Sequence, residues 1–369
     1  MHSATVSTSV ASPSATIALR ARRPRLLFVG AYPPLSIGTR AVSECIAERL
    51  RSSGWSVNLT SRQRLRALRV LDLHATVWRL RAKYDVAHVD VFSGSAFRWA
   101  EGATTLLKRI GKPFVLTLHG GNLPAFAAAQ PGRVARLLAG AARITAPSAY
   151  LLDALCRDHP RRTVIPNPLE ITKYRYTHRA QPAPRLLWLR AFHTIYDPST
   201  ALAVVRRLAE DVPELHLTMV GPDKDGSLAQ IRTGVQAHSL EGHVRLFAAI
   251  PKEAVPRMLE SADIFLNTAT IDNSPVSVLE AMAAGLAIVS TKVGGLTHLL
   301  THEHNALLVP PGDADAMAAA VRRVLREPGL GAVLSRNARV TADKHAWQHV
   351  LPLWEELLTN VVPSGAVVE

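Results

Sequence analysis

Between Asp272 and Glu280 the chain sets two carboxylates in the segment Asp272-Asn273-Ser274-Pro275-Val276-Ser277-Val278-Leu279-Glu280-Ala281-Met282-Ala283-Ala284-Gly285, the second of them inside an otherwise apolar run. Ser274 has the chemistry of an N-cap, Pro275 suits the first helical position and Gly285 is a terminator, so the spacing predicts a helix over 275–284. Glu280 then lies more than a turn inside it. Desolvating a carboxylate costs several kcal/mol unless hydrogen bonds or an opposite charge compensate, and Val276, Leu279, Met282 and Ala283 offer neither. A ligand rich in hydroxyls would. The unpaired amides at the helix start, at the positive end of its dipole, suit a phosphate. Hydroxyls plus phosphate describe a nucleotide sugar.

Other residues fit the same chemistry, each with a plainer reading beside it. Arg190 closes the apolar run Leu186 to Leu189, where its planar fork suits a diphosphate or a surface ion pair. His119 follows the β-type run Phe114 to Leu118 and projects from the carboxyl edge of a strand; on its own it reads more simply as a structural histidine. Gly38, in the loop after the first strand, lets backbone amides approach phosphate or is a mere loop glycine. Asp272 taken alone reads as a capping aspartate. His298, His302 and His304 flank Glu303 with the ligand types of a metal site, but they fall on a short helix and turn without a supporting partner. No metal is expected there.

The elements that must position these residues follow from periodicity. Short apolar runs alternate with longer amphipathic stretches: Leu26 to Gly30, Val57 to Thr60, Val86 to Val89, Phe114 to His119, Ile144 to Pro147 and Val164 to Pro166 read as buried parallel strands. After the polar, proline-bearing segment Lys173 to Pro184 the series restarts with Leu186 to Leu189, Leu215 to Gly221, Val244 to Phe247, Ile264 to Asn267, Ala287 to Ser290 and Ala306 to Val309. Helices read over 40–51, 133–140, 199–210, 252–261, 275–284 and 314–326. This is an α/β chain of two Rossmann-like, doubly wound domains facing across a cleft, where ligands bind beyond the strands' carboxyl ends.

The expected divisions are a disordered or leader segment over 1–24, a first domain over 25–180, a second over 181–345, and a terminal helix with tail over 346–369. The opening segment is rich in Ser, Thr and Ala, and its Arg20, Arg22 and Arg23, with Arg25, follow the apolar stretch, which argues against a secretory signal. Cys45 and Cys156 are the sole cysteines in 369 residues, so a disulfide framework is excluded and a reducing cytoplasm fits. No apolar run is long enough to span a bilayer. Of the net +14, residues 1–185 carry 28 basic against 9 acidic side chains, whereas the remainder carries 15 against 20. Arg62, Arg64, Arg66, Arg69, Arg79, Arg81 and Lys83 interleave with Leu65, Leu68, Leu71 and Trp78. They could lie on acidic lipid, grip an acidic acceptor, or form a solvated arginine-rich face. Nucleic acid is not expected, since no recognition motif accompanies the charge.

Taken in order, Tyr32-Pro-Pro-Leu-Ser-Ile-Gly38, Thr117-Leu-His119-Gly120, Val164-Ile-Pro-Asn167-Pro, Met219-Val-Gly221-Pro, the paired acids, Gly294-Gly295 and Leu307-Leu-Val-Pro-Pro-Gly312-Asp313 resemble the retaining glycosyltransferases of family 4, with the two-domain arrangement called GT-B. The resemblance covers residues 25 to about 355. It implies sugar transfer from a nucleoside diphosphate to an acceptor hydroxyl with retained configuration, no cofactor beyond that donor, and no bound metal. His119 would hydrogen-bond the donor sugar, and Arg190 would stabilise the leaving diphosphate. Asp272 would contact sugar hydroxyls, and Glu280 the ribose. Amides at Asn273, Ser274, Val276 and Ser277 would face sugar and diphosphate, while Gly38 and Gly221 would lie near phosphate and base. Three departures stand out: Ile37-Gly38 replaces a glycine pair, Asp272 a glutamate, and Ile195 the lysine five residues after Arg190, leaving His193, Tyr196 or helix amides to compensate. The resemblance favours an acceptor that is a glycan, glycolipid or lipid-linked sugar in bacterial envelope or exported polysaccharide synthesis, with the protein cytoplasmic or at the inner membrane face. A nucleotide-sugar epimerase or a non-catalytic nucleotide-sugar binder are the competing readings.

Overall fold

The computed structural model describes residues 23–30, 32, 40–61, 63 and 65–361. Gly38, Arg62, Arg64, most of the 1–24 segment and the tail after 361 lie outside them. The first domain runs β1 (Leu26–Val29), α1 (Val42–Ser52), β2 (Val57–Leu59), α2 (Arg66–Arg79), β3 (Val86–Val91), α3 (Phe97–Arg109), β4 (Phe114–Leu118), α4 (Leu123–Ala129), α5 (Pro131–Ala139), β5 (Arg143–Ala146), α6 (Ala149–Cys156) and β6 (Arg162–Val164). The second runs β7 (Arg185–Leu189), α7 (Pro198–Leu208), β8 (His216–Val220), α8 (Ser227–Ala237), β9 (Val244–Phe247), α9 (Val255–Glu260), β10 (Ile264–Asn267), α10 (Val276–Ala284), β11 (Ala287–Thr291), α11 (Leu296–Leu299), β12 (Leu307–Val309), α12 (Ala314–Arg326) and α13 (Leu330–Asp343). A last helix, α14 (Trp347–Thr359), follows.

Each domain holds a six-stranded, all-parallel sheet buried on both faces. Alternation along one strand shows why the apolar runs are unbroken: Leu27 and Val29 of β1 enter a core shared with α2, α3 and α5, while Leu26 and Phe28 enter one shared with α1 and α14. In β7, Leu186 and Trp188 likewise face α7 and α12, whereas Leu187 faces α9, α10 and α13. The sixth strand forms two residues earlier than expected, because Val164 already closes its pairing with Ala146.

Strand order decides where a site can be. The first sheet is ordered β2-β1-β3-β4-β5-β6 and the second β12-β11-β10-β7-β8-β9, so the order reverses between β1 and β3 and again between β7 and β10. Loops leaving adjacent strands diverge at such a point and open a crevice at the carboxyl edge. Arg190 follows β7, and Asp272 lies beyond β10. Both therefore border the same opening.

The linker and the terminal helix tie the halves together. Trp347, Val350, Trp354 and Leu357 of α14 pack against Ile46, Leu50, Trp55 and Val86 of the first domain, and Trp55 Nε1 donates to Glu355 Oε1 at 2.9 Å. In the linker, buried Arg179 donates to the carbonyls of Ala262 (2.8 Å) and Ala284 (2.7 Å) and lies 3.3 Å from Asp263, which also takes Arg185 at 2.6 Å. Burial lowers the Arg179 pKa, and Asp263 opposes that shift. Arg179→Ala removes the donor of the Ala262 carbonyl, leaves the Ala284 carbonyl with the Thr177 amide alone and Asp263 with one half-exposed partner, so it should lower stability by about 3–5 kcal/mol. A urea melt followed by circular dichroism measures this, and an unmoved midpoint would remove Arg179 as the anchor.

Candidate functional site

At the carboxyl edge of the second sheet, the loops after β7 and β10 are laced together before any side chain acts. Thr270 N donates to Ile195 O at 2.9 Å, Trp188 Nε1 to Thr268 Oγ1 at 2.9 Å, and Thr268 Oγ1 to Tyr196 O at 2.6 Å. On that frame Arg190 Nη2 donates to Asp272 Oδ2 at 2.7 Å and Nη1 to Ser277 Oγ at 3.4 Å, while the guanidinium stacks 3.9 Å from the Tyr196 ring. Both members of the ion pair are nearly buried. Arg190 Nε is buried with no hydrogen-bond partner among the described residues. Gly221 makes this packing possible: a Cβ there would lie 1.7 Å from Arg190 O.

Helix α10 starts one residue later than expected. Pro275 occupies the N-cap in an extended conformation and Ser274 makes no side-chain cap; its carbonyl instead accepts from Asn167 Nδ2 at 2.8 Å. A proline can stand there because it has no N–H to satisfy. The first helical bond runs from Leu279 N to Pro275 O at 3.3 Å, so the amides of Val276, Ser277 and Val278 have no acceptor within the helix. Gly285 ends the helix in the left-handed region at φ 80°, as its position predicts.

Glu280 corrects a second expectation. Its helical neighbours offer no partner, but Tyr174 from the linker donates to Oε1 at 2.7 Å and Lys252 from before α9 pairs with the same oxygen. The carboxylate is 2% exposed and Lys252 is 40% exposed, so one end of this pair reaches solvent. Burial, then the neighbouring carboxylate, raises the Tyr174 pKa far above the ordinary tyrosine value, keeping it a donor.

The first domain contributes the opposite wall. His119 leaves the end of β4 and its Nε2 meets Asp90 Oδ1 at 2.8 Å, while its ring stacks on Phe92 at 4.9 Å. Asp90, near the end of β3, also accepts from Ser43 of α1 at 2.5 Å. Burial opposes ionisation of Asp90, but His119, His88 and Ser43 outweigh it and hold its carboxyl below the usual range. His88, two residues earlier, meets Thr117 at 2.6 Å and is pushed by burial down to about 4, hence neutral. Asp90 was not among the expected site residues. Its signal was a lone acid in an apolar strand.

The two walls touch. Gly121, two residues past His119, packs so closely on Asp272 that a Cβ would lie 2.8 Å from its backbone. Ser148, at the amino end of α6, donates to Asn273 Oδ1, and Asn273 Nδ2 is buried without a partner among the described residues. His119, Asp272, Arg190, Asn273, Ser274, Val276 and Ser277 thus border one crevice, with Gly221 beneath Arg190 and Glu280 a turn deeper. Of the compensations open for Ile195, Tyr196 is the one in contact with Arg190. His193 instead accepts from the Ile195 amide at 3.1 Å, 3.8 Å from Asp225. Among the described residues no three His, Cys, Asp or Glu side chains group as a metal site, and His302 accepts from the Leu308 amide.

Residues 37–173 match the family model described as Glycosyltransferase Family 4, and residues 179–341 the model described as Glycosyl transferases group 1. The amylovoran biosynthesis glycosyltransferase AmsK of Erwinia amylovora is 34% identical over 130 residues, 33% of this chain and 31% of that protein. The phosphatidyl-myo-inositol mannosyltransferase of Mycolicibacterium smegmatis is 25% identical over 305 residues, 79% of this chain and 75% of that one. Among solved structures, Anabaena HepE in complex with UDP and glucose aligns with a TM-score of 0.72 at 17% identity, over 91% of this chain and 99% of that one. That likeness is one of fold, and the fold is GT-B.

Two measurements check the site's internal bonds. Tyr174→Phe leaves the buried Glu280 one hydrogen bond short and should cost about 1–3 kcal/mol in a denaturant melt; an unchanged midpoint would mean Lys252 suffices. For Asp90, a depressed folded pKa adds stability that is complete above its unfolded value of about 3.9 and disappears as pH falls through the lower folded value. The advantage of the wild type over Asp90→Asn should therefore be full at neutral pH and shrink below about pH 4. A difference constant down to the acid limit would contradict this.

Proposed function

We propose that this chain, which belongs to the group 1 and family 4 glycosyltransferases and has their GT-B fold, moves a hexose from a nucleoside-diphosphate donor to a hydroxyl of a glycan, glycolipid or lipid-linked acceptor. Retention of configuration, no metal, and a place in bacterial envelope or exported polysaccharide synthesis complete the reading. The observation that carries it is the pair of buried donors at the amino end of α10: Arg190 Nε and Asn273 Nδ2, both without partners among the described residues. An unsatisfied buried donor costs about 1–3 kcal/mol. Phosphate oxygens satisfy such groups, and the amides of Val276, Ser277 and Val278 point the same way.

The chemistry follows from that placement. The bond from the anomeric carbon to the diphosphate oxygen breaks, the acceptor oxygen bonds the same face, and the acceptor's proton passes to the leaving phosphate. Arg190 and the helix amides take up the charge that develops on that phosphate. Asp272 holds Arg190 in place before the donor arrives and offers its short carboxylate to sugar hydroxyls afterwards. His119, oriented through Nε2 by Asp90, hydrogen-bonds the donor sugar from the opposite wall. Glu280, held by Tyr174 and Lys252 through Oε1, has Oε2 to offer the ribose. The absence of a lysine at Ile195 supports one competing reading, a nucleotide-sugar binder that does not transfer.

Thermal shifts with uridine, guanosine, adenosine and thymidine diphosphate sugars test this, followed by transfer assays with the stabilising donor. A donor present at a hundred times its dissociation constant should stabilise by about 2.7 kcal/mol. Arg190→Ala should lower the transfer rate by about a hundred- to a thousandfold. Stabilisation by a donor without transfer to any acceptor extract would establish the binder; conversion of donor alone, the epimerase. No stabilisation by any of them would defeat the reading.

A further inference from the structure

A line of polar side chains crosses the first domain's sheet on the face covered by α1 and α14. Thr145 of β5 lies opposite Thr117 of β4, Thr117 lies opposite Asp90 of β3, and His88 precedes Asp90 by two residues on the same face of the strand. Thr145, Thr117 and His88 are buried. Parallel strands covered on both faces are otherwise apolar, so polar groups set there need partners. Thr117 Oγ1 lies 2.7 Å from Thr145 Oγ1 and 2.6 Å from His88 Nε2. The other ring nitrogen, His88 Nδ1, has no hydrogen-bond partner among the described residues and stands 4.0 Å from Asp90 Oδ1. The ring is pinned between Phe28, which stacks on it at 4.4 Å, and Trp354 of α14, which meets it edge-on at 5.5 Å.

A neutral imidazole carries one proton, and burial keeps His88 neutral at pH 7. With that proton on Nε2, Nδ1 would turn a bare lone pair toward an ionised carboxylate in a medium of low dielectric, which is repulsive. With the proton on Nδ1 the same approach is attractive, and Thr117 donates its hydroxyl to Nε2. Thr117 then accepts from Thr145, whose alternative acceptor, Leu116 O, is farther away at 3.3 Å. Every donor in the line now points the same way, from Thr145 to Thr117 to His88. The line ends on the carboxylate that also receives His119 Nε2 at 2.8 Å and Ser43 Oγ at 2.5 Å. Hydrogen bonds aligned in series polarise one another, which favours this arrangement over the mixed one.

We propose that His88 is a positioning residue: Thr145 and Thr117 fix it as the Nδ1–H tautomer, and its N–H, facing Asp90, holds the Asp90–His119 pair in place at the crevice wall. Trp354 closes the other side of the ring, so the docking of α14 onto the first domain sets where that pair stands. The tautomer stands on the network alone. Its bearing on sugar transfer rests on the reading of the site given above.

Nitrogen-15 NMR of the full chain labelled in histidine reads the tautomer directly, with the His88 signals assigned by their loss in His88→Phe. At pH 7 they should be those of a neutral ring protonated at Nδ1; protonation at Nε2, or at both nitrogens, would overturn the inference. His88→Phe keeps a ring between Phe28 and Trp354 but removes both nitrogens, so carbon-13 NMR should find the Asp90 carboxyl titrating at higher pH than in the wild type. His88→Asn, which retains an N–H near the position of Nδ1, should bring it back down. An Asp90 carboxyl that titrates alike in all three proteins would reduce His88 to packing and sink the proposal. With a donor found by thermal shift, His88→Phe should lower kcat about tenfold and leave the donor's KM unchanged, since the donor is held by the opposite wall. An unchanged kcat would overturn the positioning role. If no nucleotide sugar is a donor, the NMR readings still decide the tautomer and its contact with Asp90, so failure of the enzymatic reading is told apart from failure of this one.

Discussion

The ion pair between Arg190 and Asp272 is the interaction on which the crevice depends. It closes the opening that the reversal of strand order creates between β7 and β10. Neither partner is solvated enough to stand alone, and breaking such a pair costs far more than never having had it. Consequently the backbone around it is packed to the limit: Gly221 beneath Arg190, and Gly121 against Asp272 from the other domain. The arginine is held, stacked on Tyr196 and still short of one acceptor.

The two domains meet through polar contacts at the crevice and apolar ones behind it. Ser148 with Asn273 and Asn167 with Ser274 join the walls, and single hydrogen bonds of this kind contribute about 1 kcal/mol each. Behind them, the tryptophans of α14 are buried in the first domain's core, and Leu169 N donates to His345 O at 2.7 Å. The back of the crevice is thus closed mainly by apolar packing, and its mouth by polar bonds.

The departures at Asp272 and Ile195 become one observation once the geometry is known. Shortened by a methylene relative to glutamate, Asp272 still reaches Arg190 directly, and an aromatic ring takes the place of a second cation beneath it. A π face stabilises a guanidinium without adding positive charge. The crevice beside the amino end of α10 therefore carries a single arginine plus helix amides.

Much of this was legible in the chain itself. The twelve strands follow from short apolar runs, because a strand buried on both faces has no polar side to interrupt it, and the start of α10 was misplaced by one residue only because proline and serine both suit a helix entry. Arg190, His119 and the paired acids were visible as polar residues at strand ends or inside apolar helices. Their partners were not. Tyr174 and Lys252 reach Glu280 from 106 and 28 residues away, and Asp90 reaches His119 across a strand pairing. Local sequence determines period, turns and which residues stand at the carboxyl edge, since those depend on neighbours a few positions apart. Which charge meets which was decided by the strand order and the docking of the two domains, because electrostatic pairing is set by distances in space that no local pattern encodes.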